Sequence, residues 1–329
     1  MTYGRIALFC LVLSLSGIAL PYPRYQSISR SETVLGTVVR ITLPETPGTK
    51  EALSGAFDLI QSLEKVFSVH QSDSELSRIN RLHGGRLSPA MKDLIKRALS
   101  ISQLSSGAFD PTCGALVSLY RKAEKTRRAP RESEIIKAKE SVGWEKLRVE
   151  GDHLSMPAGM KLDLGGIAKG YIVDQVVRML RVSGFSHGLV DGGGDIFCWG
   201  FNPEGYPWQV GIQNPWKASN ILAILSLSDR GIATSGDYQR YLMIRGKKYG
   251  HIVDPRTGRT VQGFPTSVTV VASDCATADG LATACFVLGR EQGMQLLRNL
   301  DGVEGMIIDQ DGQKVTTPGW AKFLLKSVR

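Results

Sequence analysis

The stretch "CATADGLATACFVLG", Cys275 to Gly289, is apolar on nearly every face of a helix, with Asp279 and Thr283 its only clearly polar side chains after the first turn. A helix without a solvated face must be packed on all sides by the rest of the chain. It also puts a carboxylate where its charge is costly unless something compensates it. Residues four apart share a helix face, so Asp279 and Thr283 can present two oxygens to one point. Oxygen-only ligands suit a hard cation such as Mg²⁺, which keeps few protein ligands and bridges to substrate phosphates. The alternative is that Asp279 caps the helix, a task for which Asp274 and Thr277 are better placed upstream.

Three further segments carry chemistry-bearing residues. "LDLGGIAKGY" joins a short strand to a helix through Gly165 and Gly166. Glycines there let backbone approach a ligand, a helix N-terminus favours an anion, and Lys169 would reach a phosphate. "LVDGGGDIFCWG" reads as strand, glycine turn, strand: either a plain turn or a backbone rim facing a ligand, flanked by Asp191 and Asp195. "YGHIVDPRTGRTVQG" holds His251 ahead of good turn chemistry at Asp254-Pro255, and a histidine at the edge of a phosphate site can serve as general base. The chain has neither a G-x-S-x-G elbow nor an H-E-x-x-H pair.

Around these segments the periodicity predicts helices over "TKEALSGAFDLIQSLEKVFSV", over "SPAMKDLIKRALSISQLSSG" with Ser88 as cap and Gly107 as stop, over "PRESEIIKAKESVG", and near Glu291–Asn299. Alternating, β-branched runs predict many short strands, with a hairpin turning at Gly151-Asp152 and another around "IIDQDGQKVTT". The mixture lacks a regular βαβ alternation, so the expected class is α+β: one large domain, residues 21–329, of mixed or antiparallel sheets with packed helices. At 329 residues the chain is long enough to bury a sizeable core.

The net charge of +9 is spread along the chain, and its densest run, "RKAEKTRRAPR", reads as a solvated surface. No recognition motif or aromatic interleaving accompanies it, which argues against nucleic-acid binding; an anionic small molecule fits the charge. Residues 1–20 read as a signal peptide or an N-terminal membrane anchor: Arg5 precedes an apolar run from Ile6 to Leu20, shorter than a spanning helix needs. Cys113, Cys198, Cys275 and Cys285 form no C-x-x-C pair and no zinc spacing. Their pairing is open, and Cys285 is most simply a small buried hydrophobe.

"FSVHQSDSELSRIN", "SSGAFDPTCGAL", "LDLGGIAKGYIVD", "LVDGGGDI", "WQVGIQNP", "IATSGDY", "HIVDPRTGR" and "ATADGLATACFVLG" occur together and in this order. The set resembles the ApbE family, the FAD:protein FMN transferases, from about Thr33 to the end. The resemblance implies an exported enzyme, periplasmic or attached to the inner membrane facing the periplasm. Its reaction is a Mg²⁺-dependent transfer of the FMN moiety of FAD to a Thr or Ser hydroxyl of a target protein, with AMP released. The partner would be an exported or membrane acceptor protein. The family's metal ligands fall on Asp279, Thr283 and the backbone carbonyl of Gly166. Its flavin-binding positions fall on Ala108, Phe109, Asp110, Asp163, Lys169 and Ile252, and His251 matches the histidine that deprotonates the acceptor. Leu35 and His70 occupy two more flavin positions, where Met and an aromatic ring are usual, and Gly280 replaces the usual Ala. Two alternatives stay open at this level: an FAD pyrophosphatase giving FMN and AMP, and an exported flavin-binding protein without turnover.

Overall fold

All six residues of the strand Ser267–Ala272 are buried, which requires both faces of its sheet to be covered. Alternation assigns the faces: Val268, Val270 and Ala272 join a large core shared with the helices, and Val271 joins a second core on the far side. The computed structural model describes residues 22–217, 219–236, 241–244, 246–261 and 265–327. The expected signal or anchor segment lies outside them. No helix among the described residues is long and apolar enough to cross a membrane.

The strand belongs to an eight-stranded sheet whose order is Ser27–Val34, Thr37–Pro44, Gly188–Asp191, Ile196–Trp199, Arg230–Gly236, Ser267–Ala272, Glu304–Ile308, Lys314–Thr316. Every neighbouring pair is antiparallel. Helices α4 (Gly114–Thr126) and α5 (Glu132–Glu140) pack on each other through Leu116 and Ile135, while one face of the sheet carries α1 (Thr49–Phe67), α6 (Ala168–Val182) and α7 (Cys275–Arg298), with α2 (Glu75–Leu82) and α3 (Pro89–Leu104) packed against these. The other is covered by a three-stranded sheet, Trp208–Gln213, Ile221–Leu227 and Leu324–Ser327, with Trp208 and Trp320 filling the space between. The run "ILAILSLSDRGIATSG" is therefore two strands in different sheets, separated at Asp229, whose φ is +54°. The α+β expectation holds.

Helix α7 is the centre of the large core. It packs on the strands Arg230–Gly236 and Ser267–Ala272 and against α3 and α6. From Cys275 to Val287 only Thr277 and Thr283 are less than fully buried, as the absence of a polar face requires. Asp274 caps it, accepting the Thr277 N–H at 2.8 Å and the Thr277 hydroxyl at 3.0 Å. Gly289, with φ 78°, breaks the helical path, so the expected second helix follows directly on the first. Gly280 lies where α3 crosses: a β-carbon there would sit 3.1 Å from Ile101. The four cysteines of the described residues are free.

Two expectations need correction. The residues before the Gly165-Gly166 turn do not form a ladder strand; Lys161 makes a single parallel bridge to Cys113. The Asn80 side-chain amide takes the place of a neighbouring strand. It accepts the Leu162 N–H at 2.7 Å and donates to the Leu162 carbonyl at 2.9 Å. The run "RKAEKTRRAPR" is not wholly surface either: Arg121 to Thr126 close helix α4, and Arg121 turns inward.

Gly170 in α6 lies directly on the backbone of α7, where a β-carbon would stand 2.4 Å from the Cys275 carbonyl oxygen. Gly170→Ala is expected to cost at least about 2 kcal/mol in urea unfolding. Gly55→Ala in α1, where a β-carbon meets nothing within 4 Å, is expected instead to stabilise by about 0.5 to 1 kcal/mol.

Candidate active site

The first turns of α6 and α7 meet behind a cleft of about 420 Å³. Asp279 is 5% exposed, and its Oδ2 accepts the N–H of Gly170 at 3.2 Å. Gly170 is the third residue of α6, so its N–H is one of the donors that a helix leaves unsatisfied at its start. Asp279 is thus a helix cap after all, but for α6 and not for its own helix. The anion that α6 attracts at this point is the protein's own carboxylate.

Lys169, beside Gly170, donates to Asp195, whose carboxylate is 3% exposed. Burial alone would lower the lysine's pKa, but the Asp195 and Asp279 carboxylates outweigh it and hold the ammonium above its ordinary value. Burial raises the Asp279 pKa, and repulsion from Asp195 adds to it, while Lys169 and the Gly170 N–H oppose. Lys169 faces two buried carboxylates, and burial together with repulsion from Asp195 disfavours the charged form of Asp279 unless a second cation is present. That is an environment in which a divalent cation lowers the cost.

The donor set for such a cation is oxygen. Thr283 Oγ1 lies 3.5 Å from the Gly166 carbonyl oxygen and 3.2 Å from Ser235 Oγ. A β-carbon on Gly166 would come within 3.1 Å of the Thr283 side chain and 3.2 Å of the Phe109 ring, so a larger residue would crowd the approach of that carbonyl to Thr283. Among the described residues, no three His, Cys, Asp or Glu side chains gather as a metal-holding group. One carboxylate, one hydroxyl and one carbonyl suit Mg²⁺, which keeps coordination positions for water and phosphate, better than zinc.

The remaining expected residues form the walls. Asp163 Oδ1 accepts the Gly165 N–H at 2.9 Å, which sets the glycine turn, and its Oδ2 lies 2.9 Å from Arg121 Nη2. Asp110 uses one oxygen on its own loop, accepting the Thr112 N–H at 2.8 Å and the Thr112 hydroxyl at 2.6 Å, and the other on the distant Trp144 N–H at 3.1 Å. Burial raises its pKa and those bonds pull it back. It therefore fixes the loop that carries Ala108 and Phe109 to the cleft. Leu35, at φ +56° in the tight turn before Gly36, and Ile252 also line the cleft. His251 lines the cleft and is exposed to solvent. His70 does not join them: it lies exposed in the turn after α1, outside the cleft lining.

The triple-glycine turn also meets the cleft, but the N–H groups of Gly193 and Gly194 both donate to Asp191 Oδ1 at 2.9 Å. It serves as a wall packed on Thr37 and not as a rim of free amides. The sequence reading missed Arg121, hidden in a basic run, and Ser235. It also missed Asp174, whose two oxygens accept the N–H groups of Cys275 at 2.8 Å and Ala276 at 2.9 Å. Burial pushes Asp174 up to about 7, against the pull of those two bonds. Nothing local to "KGYIVDQVV" says which donors Asp174 meets, because they lie about a hundred residues away.

This α+β fold is that of flavin transferases of known structure. The Vibrio cholerae flavin transferase ApbE superposes with a TM-score of 0.82 at 32% identity, covering 92% of this chain and 100% of that one. The Thermotoga maritima ApbE protein gives 0.86 at 29% identity, covering 92% and 100%. The chain belongs to the ApbE family, whose model matches residues 35–307. The FAD:protein FMN transferase of Treponema pallidum is 33% identical over 334 residues, 94% of this chain and 92% of that protein. That of Vibrio cholerae is 35% identical over 299 residues, 88% of each.

Because Asp174 satisfies the first donors of α7, Asp174→Ala is expected to cost about 2 kcal/mol in thermal or denaturant unfolding. Asp174→Asn, which retains one acceptor, should recover about half of that. Equal stability of all three proteins would mean that water replaces the carboxylate without loss.

Proposed function

We propose that the chain is a Mg²⁺-dependent FAD:protein FMN transferase that moves the FMN moiety of FAD to a Thr or Ser hydroxyl of an acceptor protein and releases AMP. The observation that carries this reading is the approach of Thr283 Oγ1 to the Gly166 carbonyl at 3.5 Å, with Asp279 one helical turn before Thr283 in the same cleft lining. The family and the names of its relatives support the same activity.

Phosphoryl-type transfer needs positioning and charge neutralisation more than covalent help from the protein. Asp279, Thr283 and Gly166 would hold Mg²⁺, which when bound neutralises phosphate charge. Lys169 keeps Asp195 and Asp279 in place. Ala108, Phe109, Leu35 and Ile252 offer apolar surface to the flavin ring. His251 takes the proton of the acceptor hydroxyl as its oxygen attacks the FMN phosphorus, while the bond to the AMP phosphate breaks and leaves its electron pair on AMP. The exposure of His251 lets a macromolecular acceptor reach it. In this reading residues 1–20 direct export, the protein works in the periplasm or on the inner membrane facing it, and the acceptor is an exported or membrane protein.

The deciding experiment incubates the protein with FAD, Mg²⁺ and a candidate acceptor, then follows AMP release and acceptor mass. An FMN-sized mass gain is the expected result; AMP without that gain would replace transfer by hydrolysis, and neither would leave a binder. Asp279→Ala is expected to abolish turnover at every Mg²⁺ concentration, and full activity across that titration would sink the metal assignment. His251→Ala is expected to lower kcat on the order of 10²- to 10⁴-fold while FAD binding persists.

A further inference from the structure

Arg121 is a strong charge in the cleft to which the chemistry above gives no task. It lies on α4, where Cys113, Val117 and Arg121, spaced by four, line the cleft along one helix face. Its Nη2 is 2.9 Å from Asp163 Oδ2, and its side chain is 39% exposed against 9% for Asp163. That carboxylate oxygen receives no well-directed hydrogen bond among the described residues, so the pair is a charge contact and not a forked bond. The other N–H donors of the guanidinium have no described protein acceptor.

Charge balance says what they are for. With the proposed Mg²⁺ counted, Lys169, Arg121 and the cation only match Asp110, Asp163, Asp195 and Asp279 in and behind the cleft, and without Arg121 the balance is negative. Lys169 is occupied by Asp195 and by the field of Asp279. A substrate with negative charge on two linked phosphates would enter against this field unless a cation met it. A guanidinium is the side chain best matched to phosphate oxygens, because its planar fork can hold two at once.

We propose that Arg121 binds the pyrophosphate of the dinucleotide substrate, with Asp163 as the group that positions it; the proposal rests on the flavin-transfer reading. During transfer the acceptor oxygen bonds to the FMN phosphorus, its proton passes to His251, and the bridging bond breaks with its electron pair on the AMP phosphate. Negative charge on the phosphates rises in that step, and a fixed guanidinium stabilises it.

The test compares wild type, Arg121→Met and Arg121→Lys with three probes: FAD as substrate, inorganic pyrophosphate as inhibitor, and riboflavin, which carries no phosphate. In Arg121→Met the KM for FAD and the inhibition constant for pyrophosphate should both rise on the order of 10- to 100-fold. Riboflavin inhibition should stay as in wild type, and Arg121→Lys should recover part of the loss. Unchanged FAD and pyrophosphate constants overturn the proposal. So does an equal loss of riboflavin inhibition, which would mark Arg121 as a support of the loop through Asp163. Calorimetric binding of pyrophosphate to wild type and Arg121→Met, at fixed Mg²⁺, reads the residue without turnover. If wild type binds pyrophosphate through Arg121 but neither transfers FMN nor cleaves FAD, the functional reading fails and the binding assignment stands.

Discussion

Helices α6 and α7 cross with only backbone between them where Gly170 meets Cys275, and the site depends on that contact. A larger residue at Gly170 would push the helices apart. The N–H of Gly170 would then lose Asp279, and Lys169, one residue earlier, would lose its place between Asp195 and Asp279. Asp174 fastens the same crossing from the other side by accepting the first N–H groups of α7. The carboxylates at this junction are expensive to bury. They persist because each one meets helix-terminal donors or the lysine, so the interior cost and the helix-end deficit are settled together.

This joint arrangement explains what could and could not be read from the residues alone. The apolar run around Asp279 announced a helix packed on every side, and it is packed on every side. The glycine turn and the capping role of Asp274 were equally local and equally legible. Asp279 as the cap of a different helix was not legible, because the donor at Gly170 is distant in sequence and depends on how two helices cross. Arg121 was misread for a related reason: a basic run looks like surface until the fold turns one residue toward an acid at Asp163. The segment before Gly165 read as a short strand, yet it makes a single bridge, Lys161 to Cys113, and pairs otherwise with an asparagine amide, not with a ladder. His70 lies apart from the cleft, where the resemblance had put a flavin contact.

Gly280 shows how propensity and packing trade. Glycine inside a helix costs about 1 kcal/mol relative to alanine. Here α3 approaches so closely that a β-carbon would press on Ile101, so the intrinsic cost is offset by close helix packing. The same logic fixes Gly166, where the neighbour is functional: room for a β-carbon would mean distance between its carbonyl and Thr283. Small residues in this chain are therefore legible as sites of approach only after the approaching partner is known.

In the proposed reaction, the balance between transfer and hydrolysis turns on His251, which lines the cleft and is exposed. The floor of the cleft is buried and charge-paired, while His251 stands exposed at its lining. A base in that position activates whichever hydroxyl reaches it, and water is always present. An acceptor side chain gains over water only by being held close to the FMN phosphorus, where fixed proximity supplies the advantage. Selectivity for transfer must then come from the acceptor's contacts around the mouth of the cleft. In that reaction the buried junction of α6 and α7 would set the chemistry, and the surface around His251 would set which nucleophile uses it.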